Sequence, residues 1–82
     1  MKVKGTATAM STSTTKFDTA TSVYAFNTDS SPAVVTVRNI ADDANVGTIY
    51  VAAGAGIIID LEIGQGLRGA ATVYGTHIAS GD

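Results

Sequence analysis

The chain has 82 residues, a formal net charge of −2 and no cysteine, and charged residues make up only 15% of it. We therefore expect a single domain over residues 1–82 without disulfides or thiolate-bound metal, and its five basic residues are too scattered to bind nucleic acid through its phosphates. The low charge favours a surface that partly faces other protein, although a monomer rich in Ala, Thr and Ser is the simpler alternative.

Residues 1–6 include two lysines, but no apolar signal core follows them. No apolar run in the chain reaches the length that a membrane-spanning helix needs. We therefore expect no signal peptide and no membrane partner, with synthesis in the cytoplasm.

Two segments open the chain. Residues 2–9 alternate between two faces and predict a first strand, one face of which holds Val3, Gly5 and Ala7. Small residues let another backbone approach closely, so we predict a subunit interface on that face. Residues 10–20 are rich in Ser and Thr, which predicts an irregular or edge segment, with extended pairing as the alternative.

Five further strands are predicted where short apolar or alternating runs are separated by turn residues. They cover residues 22–27, 33–40, 48–52, 57–63 and 70–79. No segment has the apolar spacing of an amphipathic helix. About six strands at this spacing predict an all-β fold, either an antiparallel β-sandwich or a small flattened barrel.

The run 57–63 is the most strand-like in the chain, and its alternation separates two faces. We expect the first face in the core and the second outside; the first holds Ile57, Ile59, Leu61 and Ile63, and the second Ile58, Asp60 and Glu62. The two acids could hold a cation, act in acid–base chemistry, or pair with Arg38 or Arg68 of another subunit. A solvated outer face is the simpler interpretation.

Residues 64–69 read G-x-G-x-x-G directly after this run, like the opening of a dinucleotide-binding motif. That motif also needs a helix against the pyrophosphate and a returning parallel strand. Residues 70–75 are too few and too β-branched for the helix, and the sequence through Asp82 leaves no room for the strand. We therefore predict a glycine-rich hairpin turn and no cofactor.

Other candidates for chemistry are isolated. His77 is the only histidine, and without cysteine it cannot anchor a typical zinc site. Asp42, Asp43 and Asn45 form an acidic loop that lacks the calcium-binding pattern, so a polar turn is the simpler interpretation. We expect no catalytic residue, no metal and no enzyme activity.

Aromatic side chains come from three predicted strands. Exposed together, Tyr24, Tyr50 and Tyr74 could stack on sugar rings. We favour packing in the core or at a subunit interface for these residues and for Phe26, because a thin core needs its few large side chains. On the outer face, Ile58 and Tyr74 are the expected interface residues.

The order of these segments resembles small virion-associated proteins of tailed marine phages, of the T4-like cyanophage type. The resemblance rests on a K-x-K-G opening, a Ser/Thr-rich segment, a Val-rich strand ending at Asn, a G-T-I-x-V-x-A-G hairpin and a branched-aliphatic strand with acids; these are residues 2–5, 11–15, 34–39, 47–54 and 57–62. The chain departs from that pattern after Glu62, where Ile63-Gly64-Gln65 replaces a Lys and a Thr-Asp pair.

The resemblance implies a virion structural or accessory protein: a capsid decoration protein, a neck or tail accessory, or a fibre-associated knob. We expect it to be non-enzymatic, to form a closed homo-oligomer, most simply a trimer, and to contact other virion proteins. A small ligand- or carbohydrate-binding sandwich module is the alternative.

Overall fold

A computed structural model describes residues 2–17 and 20–79, and within these ranges every regular element is a strand. The strands are β1 Lys2–Val3, β2 Thr8–Ala9, β3 Thr15–Lys16, β4 Ser22–Asn27, β5 Ala33–Arg38, β6 Asn45–Val51, β7 Gly56–Asp60, β8 Gly66–Gly69 and β9 Val73–Ala79. They form two antiparallel sheets. The predicted all-β antiparallel fold is confirmed, and the sandwich rather than the barrel is observed.

The two sheets are built by a chain that changes sheet after every strand from β2 onward except β5. Sheet 1 has the order β1–β9–β4–β7, and β2 lies beside β1 along the same side of β9. Sheet 2 has the order β3–β8–β5–β6. Four edges are therefore left without a neighbouring strand in the described structure: β1 with β2, β7, β3 and β6.

The core consists of inward-facing aliphatic side chains from both sheets. Those with no measurable exposure are Val23, Ala25, Val35, Val51, Leu67 and Val73. Burial of each side chain stabilises the fold by about 1.5–3 kcal/mol. Because most of them are valines, the two sheets approach closely, and the molecule measures only 18 Å along its shortest axis.

The Ser/Thr-rich segment supplies two more large core side chains. In its described residues, 10–17 and 20, it is irregular apart from the two-residue edge strand β3, as predicted, but Met10 and Phe17 are buried, which was not predicted. Both pack over Gly75 in sheet 1, where an added Cβ would lie 2.7 Å from Phe17 Cζ and 3.1 Å from Met10 Cε. The segment therefore covers the core mainly with the side chains of Met10 and Phe17, and its strand pairing is limited to β3.

Several predicted strand boundaries are wrong, including those of the predicted strands 33–40, 48–52 and 70–79, which are observed at 33–38, 45–51 and 73–79, and three further differences change which residues pair or are buried. The strand over residues 2–9 is interrupted between Val3 and Thr8. The strand 57–63 ends at Asp60, so Ile63 lies beyond the ladder and is 59% exposed instead of buried. The glycine-rich segment is a turn only in its first half, because Gly66–Gly69 pairs with β3 on one side and β5 on the other and forms a central strand.

Asn27 closes one end of the sandwich. Its side chain is completely buried, and its amide Nδ2 donates hydrogen bonds to the carbonyls of Ser31 at 2.8 Å and Val51 at 3.1 Å. Its Oδ1 accepts the backbone N–H of Asp29 at 3.0 Å. This one amide therefore links the end of β4, the turn that follows and the end of β6.

Candidate functional site

The outer face of sheet 1 carries an exposed apolar surface built from β4, β7 and β9. Cross-strand pairing places Tyr24 opposite Ile58, and Phe26 opposite Tyr74. Ile58 is 49% exposed, Tyr74 41% and Phe26 36%, and Tyr24 is half-buried. We call these four residues the aromatic face.

The aromatic face is shaped by a residue without a side chain. Gly56 lies opposite Phe26 and next to Ile58 on β7, and the ring of Tyr24 lies over it. A methyl group on Gly56 would overlap the tyrosine ring and hydroxyl. The missing side chain therefore lets Tyr24 lie close to the sheet, which flattens the surface beside Phe26.

The three tyrosines predicted as stacking residues do not form one platform. Tyr24 and Tyr74 share the aromatic face, but Tyr50 lies on β6 in sheet 2, opposite Val34, and is 72% exposed. Any flat ligand on sheet 1 would therefore meet Tyr24, Tyr74 and Phe26, without Tyr50.

The predicted interface residues fall on two separate surfaces. Ile58 and Tyr74 belong to the aromatic face. Val3, Gly5 and Ala7 are exposed along the β1/β2 edge of the same sheet, on the far side from β7.

A second candidate surface is an open groove between β6 and β7, the neighbouring edges of the two sheets. Its main section has a volume of about 730 Å³, and an adjoining section has about 260 Å³. Together the two sections contain apolar and acidic side chains; the apolar ones include Ile40, Val46, Ile49 and Leu61, and the acids are Asp60 and Glu62. We call it the β6/β7 groove. Sequence reasoning did not predict this groove, since its residues come from separate strands and loops.

A polar cluster on sheet 2 engages both strand arginines within the chain. Asp42 Oδ1 accepts hydrogen bonds from Thr14 Oγ1 at 2.5 Å and Arg38 Nε at 2.9 Å, and Arg68 Nη2 lies 3.7 Å away. Arg68 Nε also donates to Thr14 Oγ1 at 2.8 Å. The Thr14 hydroxyl and the Arg38 guanidinium hold the pKa of Asp42 below its ordinary value.

This cluster changes the interpretation of the arginines and of the acidic loop. The sequence allowed Arg38 and Arg68 to pair with Asp60 and Glu62 of another subunit. In the structure, both arginines face Asp42 of their own chain. The loop is a polar turn, as predicted, and its Asp42 has a left-handed backbone with φ of 57°. The cluster therefore fixes the β5–β6 connection against β3 and β8.

The remaining candidates for chemistry are not assembled into a site. Asp60 accepts a hydrogen bond from the Ser22 hydroxyl at 3.0 Å, whereas Glu62 lies beyond the end of β7. His77 is half-buried in β9 beside Val23. Over residues 2–17 and 20–79, no three His, Asp or Glu side chains are close enough together to hold a metal ion.

The G-x-G-x-x-G segment has no helix after it. Gly69 ends β8, and the chain turns directly into β9. The geometry that would point helix amides at a pyrophosphate is therefore missing from the described part of the chain. In the same part, no helix has the length and apolar character to cross a membrane.

Comparison with known proteins adds no relative: no family model, no curated protein and no solved structure matches the chain significantly. The function must therefore be inferred from the surfaces described above.

Proposed function

We infer that this protein is a non-enzymatic structural subunit that works by assembling with copies of itself and with other proteins. The observation that carries the inference is the aromatic face, on which Phe26, Ile58 and Tyr74 are each more than a third exposed. A contiguous apolar surface on a flat sheet is typical of a protein–protein contact, because its burial removes apolar area from water.

The resemblance to virion-associated proteins of tailed marine phages suggests which assembly the subunit belongs to. We propose that it is a capsid decoration, neck, tail or fibre-associated protein of a virion, and that it forms a closed homo-oligomer, most simply a trimer. Symmetric assembly would stabilise a thin domain of this size, since a small domain buries a limited fraction of its own surface.

Sedimentation equilibrium tests the proposal, with protein from about 5 to about 200 µM so that mass action favours association at the upper end. We expect a wild-type mass of several subunits, and weaker association for Ile58→Ser and Tyr74→Ser. Val34→Ser is the matched control, because Val34 is 40% exposed on the outer face of the other sheet. A wild-type protein that stays monomeric throughout would contradict the proposal.

Carbohydrate binding is the second candidate function, and the arrangement of Tyr24 over Gly56 beside Phe26 and Tyr74 favours it. Aromatic rings that lie along a sheet present the flat surface on which sugar rings stack. Titration with a glycan panel, followed by tyrosine fluorescence, tests this function. We expect Tyr74→Ala to abolish the response and Tyr50→Ala to leave it unchanged; a wild-type protein without any response would exclude it.

A further inference from the structure

The four free sheet edges differ in how they are protected against pairing with another chain. β3 is a two-residue strand that carries Lys16, β7 ends at Asp60, and the edge formed by β1 with β2 carries Lys2, which favours only a partner with acidic side chains. In contrast, β6 is a seven-residue edge strand, Asn45–Val51, without proline or charge, and all but its last residue are exposed. Soluble proteins usually block such an edge with lysine, proline or a covering segment, because its unpaired N–H and C=O groups are a template for another strand.

The groove beside β6 defines the chemistry of a strand that could pair there. From β6 it receives Val46 and Ile49, and near β7 it contains the acids Asp60 and Glu62, both exposed. An extended segment with lysines on one face would match the acids, and its alternating aliphatic residues would lie on the opposite face, along the outer side of β6. Its backbone would pair with β6, and its lysines would face the acids.

Such a segment is present in the chain itself. Residues 2–9, which we call the lysine segment, carry Lys2 and Lys4 on either side of Val3, and every residue in it is exposed. Extended, its eight residues span about 26 Å, against about 23 Å for the seven residues of β6. Only one edge of this segment is paired, through β1, β2 and the Lys4 N–H that donates to the His77 carbonyl at 2.8 Å.

The segment cannot reach the groove of its own subunit. It lies at one edge of sheet 1, and β7 lies at the other edge with β9 and β4 between them. The occupant must therefore belong to a second copy.

We propose that the lysine segment of one subunit adds as a strand to β6 of the next subunit, with Lys2 and Lys4 facing Asp60 and Glu62 in the β6/β7 groove. The contact is head to tail, because it joins two different surfaces, and repetition produces a ring when the rotation closes. It rests on the proposed self-assembly and specifies its interface. This contact is separate from the aromatic face, because β6 belongs to sheet 2 and the aromatic face to sheet 1.

Disulfide trapping tests the contact directly, because the chain has no native cysteine. Val3→Cys and Thr48→Cys proteins are mixed and oxidised, because Val3 lies on the opposite face of the segment from the lysines and Thr48 is on the outer face of β6; the mixed disulfide is measured by intact mass. We expect it to form at least about tenfold faster than the one between Val3→Cys and the control Val34→Cys, since proximity raises the effective concentration. Equal rates for the two pairs would overturn the proposal.

Charge reversal provides a second test that does not depend on oxidation. We expect Lys2→Glu/Lys4→Glu and Glu62→Lys each to weaken self-association about tenfold or more, and a mixture of the two variants to recover it. Circular dichroism confirms that each variant is folded. If the wild-type protein assembles and both variants assemble equally well, this interface is wrong while the proposed function stands; if the wild-type protein is a monomer, the proposed function fails as well.

Discussion

Replacement of Asn27 by alanine should remove a large part of the folding stability. The variant keeps both backbone bonds of residue 27, to Ala55 and Gly54, and loses only the side-chain amide. That amide makes three hydrogen bonds of 2.8 to 3.1 Å, and its oxygen also accepts a longer one of 3.4 Å from the Thr72 hydroxyl. Each is worth about 0.5–1.5 kcal/mol net, and a buried carbonyl left without its donor, here that of Val51, costs about 1–3 kcal/mol.

These values predict a loss of at least about 3 kcal/mol in the free energy of unfolding, from a total of about 4–12 kcal/mol for a chain of this length. Urea unfolding followed by circular dichroism measures the loss. With a slope of about 1 kcal/mol per molar urea, the midpoint should fall by about 3 M, or the variant should be unfolded without urea.

Asn45→Ala is the matched control for Asn27→Ala. Asn45 is exposed on β6, and its side-chain oxygen accepts one hydrogen bond from Arg38 Nη1 at 2.8 Å. Its loss should cost less than about 1 kcal/mol, because water can replace the partner. If the two variants unfold at the same urea concentration, the assignment of Asn27 as the link between β4 and β6 is refuted.

Three further predictions concern stability. Gly75→Ala should cost about 1–3 kcal/mol, because the new methyl group displaces Phe17; equal urea midpoints for the variant and the wild type would contradict this. Ile59→Ala should cost about 2–4 kcal/mol and Ile63→Ala less than about 1 kcal/mol, and a similar loss for both would show that the strand continues past Asp60. Asp42→Asn should be less stable than wild type at neutral pH. The difference should shrink as the pH falls below about 4 and vanish only below the lowered pKa of Asp42 in the folded protein, because the carboxylate stabilises the fold only while it is ionised. Urea unfolding at a series of pH values checks it, and a difference that does not change with pH would contradict it.

The alternation of apolar residues predicted the all-β fold and the faces of the longer strands. In β5, for example, Ala33 and Val35 are buried while Val34 is exposed, as a period of two requires. In β7, Ile59 is buried and Ile58 exposed, in agreement with the predicted faces. These strands could be recognised because each is paired along its length and has one face in the core.

The elements that were missed are those in which distant residues override local composition. The glycines of β8 read locally as a turn, but strands on both sides supply hydrogen-bond partners for its backbone. Met10 and Phe17 are single apolar residues in a polar segment and carry no periodic signal. Asp42 is bound by residues 28 positions before it, Thr14, and 26 positions after it, Arg68, so no local pattern could have revealed the cluster.

The size of the core side chains explains why the candidate functional surface lies outside. Of the five aromatic residues only Phe17 is in the core, whose remaining members are aliphatic and mostly valine and alanine. Two sheets separated by the length of valine side chains leave no volume for a tyrosine between them. Even Phe17 fits only because Gly75 has no side chain. The large apolar side chains of β4 and β9 therefore face outward by necessity of packing, where their burial requires a second molecule. A thin sandwich of this composition would gain stability by covering its outer face and its open β6 edge, and this is the physical argument for the proposed assembly.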